Sequence, residues 1–342
     1  MSLEVFLDDT PGETRGVIAR DGHIEWLIIQ RDDDPPQTRL GARSVGRVTQ
    51  SEPGFNAAFV DLGAPGRPAF LPFGQGRAPR EGEHLEVEVT AEPREQKGPT
   101  VRLIGPADGP PRLVMPGPDV RAELARLAPG VPVETGSAAI QASWDAEEKA
   151  MGQGDFFAEV ALDLAVQRTR ALVAVDIDYA HLPGRDAKRG RLRANLEGLR
   201  HAARLIRLKS WGGLVAIDLV GTRLDADAIA AAARTAFDEP EAVFGPLNRF
   251  GVLQLALPWR RTPIEERLRG WAGSQVLTTA AINTVRSLRM RVLQDKATPR
   301  FTARCHPEEA AIAGPLAARL GPRVAVVADP AVALGRADIQ EA

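Results

Sequence analysis

The chain has 342 residues, 44% of them apolar and 26% charged, the balance of a soluble globular protein long enough for two or three modest cores. A formal net charge of −2 excludes a molecule coated in positive charge, and the single cysteine, Cys305, excludes an internal disulfide or a Cys-rich zinc knuckle. No basic start leads into an apolar run and no stretch of eighteen apolar residues follows, so neither secretion nor membrane spanning is expected, and the cysteine usage favours a cytoplasmic protein.

Residues 3–30 read as short strands, LEVFL, TRGVIAR and HIEWLII, the last two joined by the hairpin signal Asp21-Gly22. RDDDPPQ at 31–37 is a loop. From Gly41 to Glu92, the runs ARSVGRVTQ, FNAAFVDLG, PAFLPF and HLEVEVTAE are separated by Gly/Pro turns and suit a small barrel. Its aromatics, Phe55, Phe59, Phe70 and Phe73, are either core residues or platforms for stacked bases. Residues 105–155, rich in Pro, Gly and Ala, read as connecting structure with helices over 119–127 and around 144–151.

From residue 157 the pattern becomes α/β. AEVALDLAVQRTRALVAVDID predicts two strands around a Gln167–Arg170 turn. RLRANLEGLRHAARLIRLK then sets Leu192, Leu196, Leu199, Ala203 and Ile206 at helical spacing, with arginines around the other side. Gly212-Gly213 ends that helix, and LVAIDLV reads as a buried strand. A helix over Ala228–Phe237, the strand FGVLQLAL and a long helix over Thr278–Asp295 follow. The tail alternates a helix, EEAAIAGPLAARL, with a strand, RVAVVAD. Strands first and strand–helix–strand units after them predict an α/β fold with a mixed sheet.

Asp176 and Asp178 fall at the end of one apolar strand and Asp218 at the same point of the next. Residues i and i+2 of a strand share a face, and a strand–helix–strand crossover lets the two strands lie side by side with their carboxyl ends together. Three uncompensated carboxylates at one point repel each other, a cost that a hard divalent cation such as Mg²⁺ removes. Such an ion would orient a water against a phosphodiester. No histidine or cysteine cluster competes, so zinc is not suggested. The same aspartates would serve equally as caps for the turns that follow. Between Arg185 and Lys209 nine Lys/Arg stand against two acids, which makes Arg189, Arg191 and Arg193 either a phosphate-contacting face or a solvated one.

ALVAVDIDYA, RANLEGLRHAARLIRLKSWGGLVAIDLV and NRFGVLQLAL together resemble the catalytic region of the ribonuclease E/G family. Upstream, VGRVTQSEPGFNAAFVDLGAPGRPAFLPF resembles that family's OB-fold RNA-binding barrel and QKGPTVRL the segment that closes it, while PGETR is similar to the family's opening. The resemblance implies a metal-dependent endoribonuclease that cuts single-stranded RNA in processing or decay, with an OB-fold inserted into an RNase H-like portion. It divides the chain into N-terminal strands of the RNase H-like portion (1–38), the barrel (39–98), a compressed connecting region (99–156) and a nuclease core with an α/β tail (157–342). It makes Asp176 and Asp218 the metal ligands, for Mg²⁺ or Mn²⁺, and Phe59, Phe70 and Lys97 RNA contacts. Asn195 and Arg249 also match the pattern, Arg249 as a further RNA-binding candidate, and Asp178 stands where the family has asparagine. Glu134 replaces an arginine of the family's 5′-phosphate pocket and Glu241 falls near another, so 5′-end sensing of that kind is not expected. Only Cys305 and His306 stand where a Cys-Pro-x-Cys motif would be, so no zinc-linked dimer is expected. The alternative is a relative that binds RNA without cutting it.

Overall fold

In the computed structural model, residues 2–74, 77–180, 187–221 and 224–341 are described. The basic run that begins at Arg185, like His181, therefore starts outside the described residues. The chain is a mixed α/β protein that divides into two units, Met1–Glu147 with Arg261–Ala342, and Glu148–Arg260.

β1 (Leu3–Thr10), β2 (Glu13–Arg20) and β3 (His23–Arg31) run antiparallel in series. Asp21 and Gly22 both take positive φ, 49° and 77°, as the expected tight hairpin requires. β4 (Arg43–Glu52), β5 (Ala57–Asp61), β6 (Ala69–Pro72), β7 (His84–Ala91) and β8 (Thr100–Pro106) follow in the order β5-β6-β8-β7-β4, and a β4–β5 pairing closes the ring. Closure leaves this five-stranded barrel no open edge. Alternating residues such as Val48, Val60, Leu71, Leu85, Val87 and Val101 fill its interior, with Phe73 packed against them. β9 (Arg112–Met115) adds outside the ring, along β4. The barrel sheet thus runs to Met115, into the stretch read from the sequence as connecting structure.

α1 (Val120–Leu127) starts at Asp119, whose carboxylate accepts from the Ala122 N–H at 2.7 Å. Its Val120 and Leu124 pack on Val5, Leu7, Ile18 and Ile28 of the first sheet. β10 (Val133–Glu134) joins that sheet parallel to β1. α2 (Ser137–Met151) begins seven residues before the position the sequence suggested. SAAIQAS lacks an apolar stripe, but its alanines favour a helix and the Ile140 N–H finds the carbonyl of Gly136 at 3.1 Å.

In the second unit, β11 (Gly154–Phe157), β12 (Leu162–Arg168), β13 (Val173–Tyr179), α3 (Ala187–Leu208), β14 (Gly213–Asp218), α4 (Ala226–Ala236), β15 (Val243–Phe244) and β16 (Val252–Leu257) follow one another. The sheet order is β11-β12-β13-β14-β16-β15, and every pairing is antiparallel except β13 with β14. The mixed sheet expected from the element order is therefore present. Val173, Val175, Ile177, Val215 and Ile217 are buried, as are Leu199, Ala203 and Ile206 of α3, which packs on β12 and β13.

The remaining elements belong to the first unit: α5 (Ile264–Arg269), α6 (Val276–Gln294), β17 (Phe301–Cys305), α7 (Pro307–Ala318), β18 (Val324–Ala328) and β19 (Ala337–Glu341). β17 lies between β18 and β19, under α6 and α7, around Phe301, Ala303, Val285 and Leu288. Charge as well as apolar surface is buried here. Arg286 of α6 donates to Asp8 at 2.6 Å and to Glu13 at 3.0 Å, and Glu13 also receives Arg15 at 2.6 Å and Arg31 at 2.9 Å. The barrel's last residues are held similarly: buried Glu92 accepts from the N–H groups of Leu40 and Thr262 and from Arg267.

Candidate functional site

β13 and β14 both alternate core-facing aliphatics with residues on the opposite face, and their parallel register pairs Asp176 with Asp218. Both carboxylates are exposed on adjacent strands, Asp218 as the last residue of β14 and Asp176 in the middle of β13, which runs on to Tyr179 rather than ending at the aspartates as the sequence suggested. Asp178 shares their face, and its Oδ1 accepts from the Tyr179 N–H at 2.7 Å. Asp163 of β12, which sequence reasoning missed, stands opposite Asp178 in the register. The turn in which the Thr169 N–H reaches the Leu172 carbonyl at 2.9 Å sets this register, and with it which β12 residue faces Asp178.

The four charges act on one another. Desolvation, then Asp218, Asp178 and Asp163, raise the pKa of Asp176 above its ordinary value. Among the described residues, neither Asp176 nor Asp218 has an ion-pair partner. Nor, among those residues, do three or more His, Cys, Asp or Glu side chains form a group able to hold a metal ion by themselves.

Two devices hold the strand ends. Asn195, fully buried in α3, donates to the Val220 carbonyl and accepts from the Val220 N–H, both at 3.0 Å. This gives the asparagine a role that the sequence pattern left open. Gly198, one turn on, lets the helix approach β13 closely, since a Cβ there would lie 2.6 Å from Ile177 Cδ1. Beyond Asp218, the Asn248 Oδ1 accepts from the Phe250 and Val252 N–H groups at 2.9 and 3.0 Å. The turn ends at Gly251, with φ at 85°, and its carbonyl accepts from the Leu219 N–H. It displays Arg249 over the ring of Phe250, 4.8 Å from the centroid, with Phe250 73% exposed.

The basic helix is divided in use. Arg189 and Arg193 are exposed, and Arg191 lies against Gly221, where a Cβ would stand 3.2 Å from its Cδ and Nε. Farther along, charge predicted to lie around the outer side turns inward. Arg204 is buried beside Asp155 at 3.4 Å, and Lys209 is buried with its ammonium on the carbonyls of Ala150 and Gly152. Both are spent inside the fold, Arg204 on the Asp155 carboxylate and Lys209 on carbonyls that water no longer reaches.

Residues 158–256 match the sequence profile of the Ribonuclease E/G family. No curated protein matches the chain. The matched segment holds Asp176, Asp178, Asn195, Asp218 and Arg249, so the resemblance read from the sequence is shown for it, and it supports ribonuclease activity, and with it RNA binding, in general.

The barrel lies outside the segment matched to the ribonuclease E/G family. Phe59 and Phe70 are register partners on β5 and β6, with ring centroids 6.0 Å apart edge to face; Phe59 is half-buried and Phe70 is 37% exposed. The Phe70 N–H bonds to the Pro99 carbonyl at 2.8 Å, which brings the exposed Lys97 to the same end of the barrel. Lys97 is paired with Glu95 at 3.1 Å. Phe55, 81% exposed, precedes the start of β5.

The positions that depart from the family pattern are also placed. Glu134 is exposed in β10, and Glu241 pairs with Arg260 at 3.0 Å. Cys305 is buried in β17, and His306 caps α7. No helix of the described residues is long and apolar enough to cross a membrane.

Proposed function

We propose that the protein is an endoribonuclease that hydrolyses phosphodiester bonds in single-stranded RNA with the help of Mg²⁺ or Mn²⁺. One observation carries this reading: Asp176 and Asp218 are aligned on adjacent parallel strands within the family-matched segment, with mutually repelling charges and no ion-pair partner among the described residues. An all-oxygen donor pair of this kind fits a hard ion that completes its coordination with water and phosphate oxygens. When bound, the ion would supply Lewis-acid polarisation of the scissile phosphodiester and orientation of the attacking water. Asp176 and Asp218 would hold it, and Asp178 would give a third oxygen or a hydrogen bond to one of its waters.

The chain's other residues bind and align. Arg249, carried by the turn beside Asp218, and Arg189, Arg191 and Arg193 of α3 contact phosphates, and Phe250 offers a face for a base. In this reading the closed barrel is an OB-fold inserted into an RNase H-like portion, and Phe59, Phe70 and Lys97 hold unpaired bases and backbone. Sensing of a 5′-terminal phosphate is not part of it, since the carboxylates of Glu134 and Glu241 repel that group. The setting is cytoplasmic RNA processing or decay.

The second reading is a relative that binds RNA without cutting it. It is favoured by the absence, among the described residues, of three side chains gathered for a metal. Incubation of a fluorescent single-stranded oligoribonucleotide with Mg²⁺, Mn²⁺ or EDTA separates the two. Internal cleavage that needs the metal and is lost in Asp176→Asn and Asp218→Asn supports the enzyme. RNA bound but intact with every metal, equally in wild type and variants, supports the binding protein.

A further inference from the structure

The outer face of β5 does not end at the aromatic pair. Two residues beyond Phe59 on the same face, Asp61 enters a groove of about 340 Å³ walled by the β5–β6 loop, Thr38 and Thr49. Pro68 and Pro99 line it as well, and these flank the aromatic surface directly: Pro68 precedes Ala69 and Phe70 in the chain, and the Pro99 carbonyl holds the Phe70 N–H. Thr49 belongs to both places, since its hydroxyl donates to the Phe59 carbonyl at 3.2 Å. The groove is therefore continuous with the Phe59–Phe70 surface and lies within one unit.

We propose that this groove is a subsite for one nucleotide of single-stranded RNA, next to the nucleotide that stacks on Phe59 and Phe70. The inference rests on the RNA-binding part of the reading above. Its volume is at the small end of ligand sites, enough for one nucleotide. Its walls combine the flat faces of prolines with two hydroxyls, one cation and one carboxylate. Arg67 is the cation; it is exposed and has no ion-pair partner among the described residues, so its guanidinium is available to a phosphate. Asp61 spends Oδ1 on the Gly63 N–H at 2.8 Å, which leaves Oδ2 as an acceptor. That oxygen repels phosphate and accepts from N–H groups on a base edge. Along the strand, Phe59 and Asp61 are roughly 6–7 Å apart, a distance that a splayed RNA backbone covers in one nucleotide.

The test is fluorescence anisotropy on the full chain with labelled single-stranded oligoribonucleotides in EDTA, for wild type, Arg67→Ala, Arg67→Lys and Phe59→Ala. Circular dichroism checks that each is folded. The expected result is about tenfold weaker binding for Arg67→Ala, a salt slope shallower by about 0.7, and near-complete rescue by Arg67→Lys. If Phe59→Ala weakens binding while Arg67→Ala leaves affinity and slope unchanged, the subsite is overturned and the RNA-binding barrel stands. If no variant, wild type included, binds RNA, both fall together. Saturable binding of AMP that depends on Arg67 but is not competed by the oligoribonucleotide would mark a free-nucleotide site and likewise overturn the RNA subsite.

Discussion

Asn195 grips both backbone groups of Val220, two residues beyond Asp218, with paired 3.0 Å hydrogen bonds made from inside α3. The helix between the two aspartate strands thereby fixes the end of the second one. Asn195→Ala leaves a part-buried N–H and C=O unpaired, at about 1–3 kcal/mol in urea denaturation. RNA cleavage should fall further than the loss of folded protein explains, measured at a temperature where the variant is still fully folded.

The pKa of Asp176 is raised in the folded state, so folding takes up protons and stability declines as pH rises from the ordinary carboxylate value through the raised one. Asp218→Asn removes the charge that contributes most to raising it. That variant should melt above the wild type at pH 7, with the difference vanishing below about pH 4. Mg²⁺ should raise the wild-type melting temperature and leave that of the variant unchanged.

Glu13 and Asp8 behave oppositely. Burial alone would raise both pKa values, but Arg15, Arg286 and Arg31 around Glu13, and Arg286 with the Thr10 hydroxyl at Asp8, hold them below the ordinary range. Their stabilisation is complete above the unfolded carboxylate pKa and is lost as pH falls below it toward the depressed values. Denaturation midpoints should therefore drop steeply below about pH 4. Arg286→Met removes the cation shared by two buried carboxylates, leaving Glu13 to Arg15 and Arg31 and Asp8 to Arg289, and should cost about 3 kcal/mol at pH 7.

Burial, and secondarily the charge of Glu309, pushes the Cys305 thiol up to about 11. A thiol with so little thiolate, sealed in β17, should ignore a disulfide reagent at pH 8 in the native protein and react fully in urea. Reaction of the native protein at the unfolded rate would disprove the burial of β17.

The candidate site was legible where the sequence repeats a period. Five apolar residues before Asp176 and the matching run before Asp218 declare two buried strands, and a helix of fitting length between them makes those strands parallel. The barrel could be read from its short alternating strands and from QKGPTVRL, the segment that closes it, although β9 hides in a stretch dominated by Pro and Gly. What stayed hidden depends on partners distant in the chain. Asp163 looks like one more outward strand residue until the register sets it opposite Asp178. Arg15, Glu13 and Arg286 look like surface charges, since nothing local says that residues more than 270 positions apart will neutralise one another. Arg204 and Lys209 belong to the same class, because a basic helix reads the same whether its cations face water or acceptors inside the fold.

The register of β13 against β14 also carries a form of quality control. A slip of one residue would turn Asp176 or Asp218 toward the apolar layer under α3 and lift valine and isoleucine into water. A misfolded sheet and a disabled site are then the same molecule. On the reading proposed above, a slipped strand loses the aspartate pair together with its buried core.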